Sequence, residues 1–139
     1  MPVRTDLQAM PLVIFHMEGD LNAAQLKSYL GEVEQLLSSG QKIGSISRTE
    51  RLGKVDAQSM KLVADWFKQN ASLASERWIG SAIVITSATV RFLLSSLMLL
   101  VRMPMPYKAF DSYDAAARWL AGRFRNENLP LPESLKPYV

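Results

Sequence analysis

His16 is the only histidine of this 139-residue chain, and it stands in His16-Met17-Glu18, the H-x-E spacing that opens a zinc deaminase motif. That chemistry also needs a P-C-x-x-C partner to hold the ion, and the chain has no cysteine. One histidine and no thiol leave no two-histidine or thiolate metal site, no disulfide and no thiol nucleophile. On a strand, His16 shares a face with Ile14 and Glu18, opposite Val13, Phe15 and Met17. A hydrogen-bonded structural histidine is the favoured reading, and general-base work is the sharper alternative. Gly53-Lys54-Val55 has the Gly-Lys of a phosphate loop but lacks the Ser or Thr after it, and Arg48 occupies the upstream glycine position. No G-x-G-x-x-G opens a helix, and no G-x-S-x-G elbow occurs. Glu32 and Glu34 lie two apart on a helix and do not face each other. With no acid–base pair, nucleophile, metal or cofactor site assembled, a non-enzymatic role without cofactors is expected.

Charge points the same way. Lys and Arg number 16 against 13 Asp and Glu, a formal charge of +3. Residues 1–70 are balanced at 8 and 8, while residues 71–139 carry 8 and 5. So small an excess is far from the clustered basic stripe of a nucleic-acid binder, and nucleic acid is not the expected partner. Apolar residues make up 48% and charged residues 21%, the balance of one globular domain with a core of its own. The N-terminus shows no long apolar stretch, so no secretory signal is read and a cytoplasmic location is expected.

The elements that must position these residues follow from periodicity. Pro11 to Glu18 reads as a strand, broken by Gly19-Asp20-Leu21-Asn22. Asn22 and Gln25 have capping-box spacing, and Leu26, Tyr29, Leu30, Val33, Leu36 and Leu37 then recur at helical spacing up to Gly40. Lys42 to Ser47 is a weaker strand, followed by a polar loop from Arg48 to Val55. Asp56 caps a second helix with Met60, Val63, Ala64 and Phe67 inward. Ile79 to Thr86 reads as a strand buried on both faces, Thr89 to Met103 as a third helix stopped by Pro104 and Pro106, and Met105 to Phe110 as a short edge strand. Asp111 or Ser112 caps a fourth helix with Tyr113, Ala116, Leu120 and Phe124 inward. The expectation is an α/β domain over residues 1–125, in βαβαβαβα order with a mixed, mostly parallel four- to five-stranded sheet and about four helices. Residues 126–139 read as an irregular, proline-rich tail.

The third helix is the least ordinary segment. Between Arg91 and Arg102 it carries no charge, and Arg91, Ser95 and Arg102 form its one thin polar stripe. Its uncharged run is about half of the roughly 20 residues that a membrane span requires. Phe92, Leu94, Leu97, Met98 and Val101 are therefore candidates for an apolar interface or ligand site. Three outlets stay open for the surplus: burial by neighbouring helices or the tail, a dimer or protein interface, and an apolar ligand cavity or membrane surface. The second locus is the edge where the carboxyl ends of parallel strands gather, where ligands favour binding. There the Arg48 to Val55 stretch and the start of the second helix offer Arg48, Glu50, Arg51, Asp56 and Ser59 as partner-binding candidates, beside the plainer reading of a solvated connection.

Phe15-His16-Met17-Glu18-Gly19-Asp20-Leu21, with a helix directly behind it, resembles the start of STAS-like domains of the SpoIIAA-like family. Phe110-Asp111-Ser112-Tyr113-Asp114-Ala115-Ala116-Ala117-Arg118-Trp119-Leu120 is similar to the family's Phe, acidic, Ala and Trp-Leu pattern. Arg77-Trp78-Ile79, leading into Ala82-Ile83-Val84-Ile85, resembles its central strand. The resemblance spans roughly residues 11 to 124 and implies a non-catalytic regulatory or interaction role, through a protein partner or self-association. Relatives of this shape also resemble CRAL-TRIO lipid carriers, which implies an apolar ligand as the second reading. Anti-sigma-factor antagonists carry Asp-Ser-Ser-Gly where this chain has Asp56-Ala57-Gln58-Ser59-Met60. Ser59 is the nearest hydroxyl, but Ala57 and Met60 depart from the pattern of a phosphorylated switch.

Overall fold

Branched and aromatic residues alternate along β2 (Leu12–Leu21), burying Val13, Phe15 and Met17 on one face while Leu12 and Ile14 pack on the other. The chain is described here by a computed structural model covering residues 3–139. Asn22 ends β2 as an N-cap: its Oδ1 accepts from the Gln25 amide and Gln25 Oε1 accepts from the Asn22 amide, both at 2.9 Å. Behind this capping box runs α1 (Ala23–Ser38), with Leu26, Leu30, Val33 and Leu37 buried, and Gly40 follows it at φ +91°.

β3 (Ile43–Val55) then pairs in parallel with β2 along its whole length. The expected polar loop from Arg48 to Val55 is therefore strand. Its ladder partners are His16, Glu18, Gly19 and Leu21, the last two in an extension of β2 beyond the expected end at Glu18. Asp56 caps α2 (Ala57–Gln69), and a break at Asn70 starts the short α3 (Ala71–Arg77). β4 (Trp78–Val84) pairs with β3 in parallel. Ser87 caps α4 (Ala88–Leu100), which ends three residues before the expected Met103, with Val101 already extended. β5 (Tyr107–Phe110) adds in parallel to β4, and Ser112 caps α5 (Tyr113–Asn126). One strand escaped the sequence reading: β1 (Val3–Asp6), antiparallel to β2.

The sheet order is β1-β2-β3-β4-β5, five strands with only β1 antiparallel. Because β2 to β5 advance in one direction, right-handed crossovers place α1, α2, α3 and α4 on the same face. The core on that face holds Phe15, Leu30, Val33, Phe67, Trp78 and Leu97. α5 returns on the other face over Ile46, Ala82 and Val84. The tail expected to be irregular carries a 3-10 helix (Glu133–Tyr138) whose Leu135 is fully buried in the same cluster, and Tyr138 donates its hydroxyl to Asp114 at 2.9 Å.

Two glycines let α5 sit close to the sheet. Gly44 and Gly80 are neighbours across β3 and β4. A Cβ at Gly44 would lie 2.8 Å from Phe124 Cε2 and 3.1 Å from Leu120 Cδ1. Gly44→Ala is expected to destabilise the domain by about 1–3 kcal/mol through overpacking, read as a lowered urea midpoint at unchanged slope.

Candidate functional site

β3 outruns its neighbour β4. Its pairing with β4 ends at Arg48–Val84, while its pairing with β2 continues to Leu21–Val55, so the end of β2 and β3 forms a two-stranded ribbon over the carboxyl edge of the sheet. Thr49 ties the two levels together by donating its hydroxyl to the Val84 carbonyl at 2.6 Å. Asp20 Oδ1 accepts the Lys54 amide at 2.7 Å, and a Cβ at Gly53 would collide with that same oxygen. This is the role of the glycine that had the look of a phosphate loop.

A bulge in the ribbon sorts its side chains. Three residues of β2, His16 to Glu18, are matched by four of β3, Arg48 to Arg51. The extra residue puts Arg48, Glu50 and Arg51 with His16 and Glu18 around one polar pocket of about 380 Å³. Thr49, Leu52 and Val55 reach the helical side instead.

In the polar pocket Arg48 donates from Nε and Nη2 to the two carboxylate oxygens of Glu50, at 3.2 and 2.7 Å. Its guanidinium lies 4.8 Å from the centre of the Tyr113 ring. The pair explains itself electrostatically: the hydrogen bonds that Arg48 donates hold the Glu50 carboxyl below its usual range, and the accepting carboxylate raises the Arg48 guanidinium. His16 is lowered, first by burial and then by the charges of Arg4 and Arg48, so its imidazole is neutral at pH 7. His16 is half-buried on the sheet, in the wall of the polar pocket. Among the described residues no cluster of three or more His, Asp or Glu is arranged to hold a metal ion.

The five partner-binding candidates thus fall at two places. Arg48, Glu50 and Arg51 line the polar pocket, whereas Asp56 and Ser59 form the N-terminus of α2. Asp56 Oδ1 accepts the Ser59 amide at 2.7 Å. That bond holds the Asp56 carboxyl below the carboxylate range, with the nearby Ser59 hydroxyl adding to it at a geometry short of a hydrogen bond. Ser59 is fully buried, and its Oγ finds no hydrogen-bond partner among the described residues. In this conformation the hydroxyl is closed to a modifying enzyme.

α4 divides its apolar residues between two surfaces. Leu97 and, just past the helix end, Val101 are buried, Leu94 and Met98 are half-buried, and Phe92 is 71% exposed. Inward, Leu93, Leu94 and Leu97 wall an apolar cavity of about 160 Å³, closed opposite by Tyr29, Leu52 and Phe67 and floored by Ser47, Thr49 and Ser81. Outward, Leu99 is 88% and Leu100 47% exposed beside Phe92. Neither Leu99 nor Leu100 is among the interface candidates drawn from the sequence. At 100° per residue Leu99 falls about 80° from Arg91, between Ser95 and Phe92, so the helical wheel already placed it on the solvent arc. No helix among the described residues is long and apolar enough to cross a membrane.

Known proteins share this fold. A family model described as SpoIIAA-like matches residues 12–121. No curated protein matches the sequence. Among solved structures, an uncharacterized protein with a SpoIIAA-like fold from Shewanella loihica is 12% identical, with TM-score 0.62 over 85% of this chain and 91% of that one. The Bacillus cell fate determinant SpoIIAA in its phosphorylated form is 17% identical, with TM-score 0.55 over 84% and 98%. The diguanylate cyclase SiaD in complex with its activator SiaC, from Pseudomonas aeruginosa, gives 18% identity and TM-score 0.52 over 78% and 90%. At such identities these likenesses speak for the fold, whereas the matched residues run from β2 through most of α5. The chain belongs to the SpoIIAA-like family.

Proposed function

We propose that this chain is a cytoplasmic, non-enzymatic regulatory domain that binds a protein partner through the outer surface of α4. The observation that carries the reading is the exposure of Phe92, Leu99 and Leu100 on one short helix, where a solvated face would be polar. α4 packs beside α2, so Asp56 and the first turn of α2 lie on the same side of the sheet as this patch. Proteins of the same fold support the role: SpoIIAA is an anti-sigma-factor antagonist, and SiaC is an activator seen in complex with the enzyme SiaD. The Arg48–Glu50 pair is internally satisfied, which favours α4 over the polar pocket as the binding surface.

The test is affinity capture from an extract of the source cells, quantified for the wild type and for Phe92→Glu with Leu99→Glu. A protein retained by the wild type is expected to be lost with the double substitution, at an unchanged thermal midpoint. If the two baits retain the same proteins in the same amounts, the α4 surface is not the binding site.

The second reading is an apolar ligand in the cavity beneath α4. A volume of about 160 Å³ is close to that of engineered cavities which admit benzene. It falls short of the roughly 300–1,000 Å³ of typical ligand pockets, and this places the reading second. A reproducible added mass in the native mass spectrum of the purified protein would reverse the order.

A further inference from the structure

The open edge of the sheet is β1. Among the described residues only β2 lies beside it, so the outer backbone groups of Val3 to Asp6 are not paired within the sheet. Cross-strand neighbours assign its faces. Val3 and Thr5 oppose Met17 and Phe15 on the helical side, while Arg4 and Asp6 oppose His16 and Ile14 on the α5 side. Thr5 donates its hydroxyl to Glu32 of α1 at 2.7 Å. Just past the strand Leu7 is 47% exposed, and a cleft of about 720 Å³ runs between this edge and Leu36 of α1.

We propose that this edge pairs with a second copy of the chain, antiparallel about a two-fold axis at Thr5, joining the two sheets into one. The charges select the register. In an antiparallel ladder alternate residues turn their N–H and C=O groups outward, so a two-fold axis pairs only residues of like parity. Centring on Arg4 sets Arg4 against its own copy, and centring on Asp6 does the same to Asp6, each a like-charge contact. Centring on Thr5 sets Arg4 against Asp6 of the other copy twice, one pair from each chain. The same register brings Leu7 against Val3 of the other copy, covering the exposed leucine on the helical side. Registers centred on Arg4 and on Thr5 overlap the four-residue strand equally, and of the two only the one on Thr5 satisfies both charges and the apolar residue. The proposal is independent of the α4 surface.

Sedimentation analysis of the full chain over a range of concentrations tests it. The wild type is expected to associate to a dimer. Asp6→Arg alone, or Arg4→Asp alone, replaces both attractive pairs by like-charge pairs and is expected to weaken the dimer about tenfold or more. Mixing the two single variants restores the opposite-charge pairs across chains and should regain wild-type association, as should the double exchange Arg4→Asp with Asp6→Arg. Because a misfolded variant could not be rescued by its partner, the mixture separates lost pairing from lost folding. A wild type that stays monomeric to its solubility limit overturns the proposal. So does a dimer that both single variants leave unchanged, or a mixture that fails to recover.

Discussion

Leu97→Glu is expected to unfold the domain near neutral pH, while Leu99→Glu, two residues along the same helix, leaves stability within about 0.5 kcal/mol of wild type. The contrast follows from placement. Leu97 is 8% exposed and walls the cavity beneath α4, whereas Leu99 is 88% exposed. Truncating a buried leucine already removes about 2–5 kcal/mol, and here a carboxylate must also be desolvated among apolar side chains. Against a total stability of about 5–15 kcal/mol for a typical domain, that loss is decisive. The pH dependence has a definite sign. Burial raises the introduced carboxyl in the folded state, so the penalty is smallest below its unfolded value near about 4 and grows as pH rises through the folded value. Circular dichroism melts of both variants at acid and neutral pH check the expectation. Equal stability of the two would place both leucines on the same surface and remove the division of α4 into inner and outer faces.

On the opposite side of the sheet, Phe124→Ala is expected to cost about 3–5 kcal/mol, read from urea unfolding. Phe124 is fully buried, and its ring lies against the Cα of Gly44 where no side chain can enter. With Leu120 it fixes how closely α5 approaches β3 and β4. The two sites are coupled through one contact, so the effects should not add. Adding Gly44→Ala to Phe124→Ala fills part of the vacated space, and the double variant should be more stable than the sum of the single losses by about 0.5–3 kcal/mol. Strict additivity would show that Gly44 is small for a reason other than the ring above it.

The SpoIIAA-like fold was legible because its signals are local. Asn22 with Gln25, Asp56 and Ser112 each mark a helix start within four residues, and each accepts the backbone amide that the spacing requires. The alternation in β2 and the inward stripe of Ala116, Leu120 and Phe124 in α5 need only strand and helix geometry. These short-range rules sufficed for the alternation of strands and helices from β2 to α5, the short α3 apart, and for the mainly parallel sheet. The missing cysteine and the lone histidine excluded thiol chemistry and paired-histidine metal sites without any coordinates.

What eluded the sequence depends on partners distant along the chain. Arg48 to Val55 is polar and contains a glycine, so its composition reads as a loop; it becomes strand because the end of β2 supplies a ladder some thirty residues away. The same ladder carries the bulge that sends Arg48, Glu50 and Arg51 to the polar pocket and Leu52 to the cavity. β1 is too short to show periodicity, and pairing with β2 alone makes it a strand. Leu135 lies in a proline-rich tail and gains its place only because α5 offers an apolar surface to cover. For α4, a run of leucines cannot say which of them face the sheet. Neighbouring α2 and β3 decide that, leaving Phe92, Leu99 and Leu100 in water, because burial is a property of what packs against a side chain and not of the side chain itself.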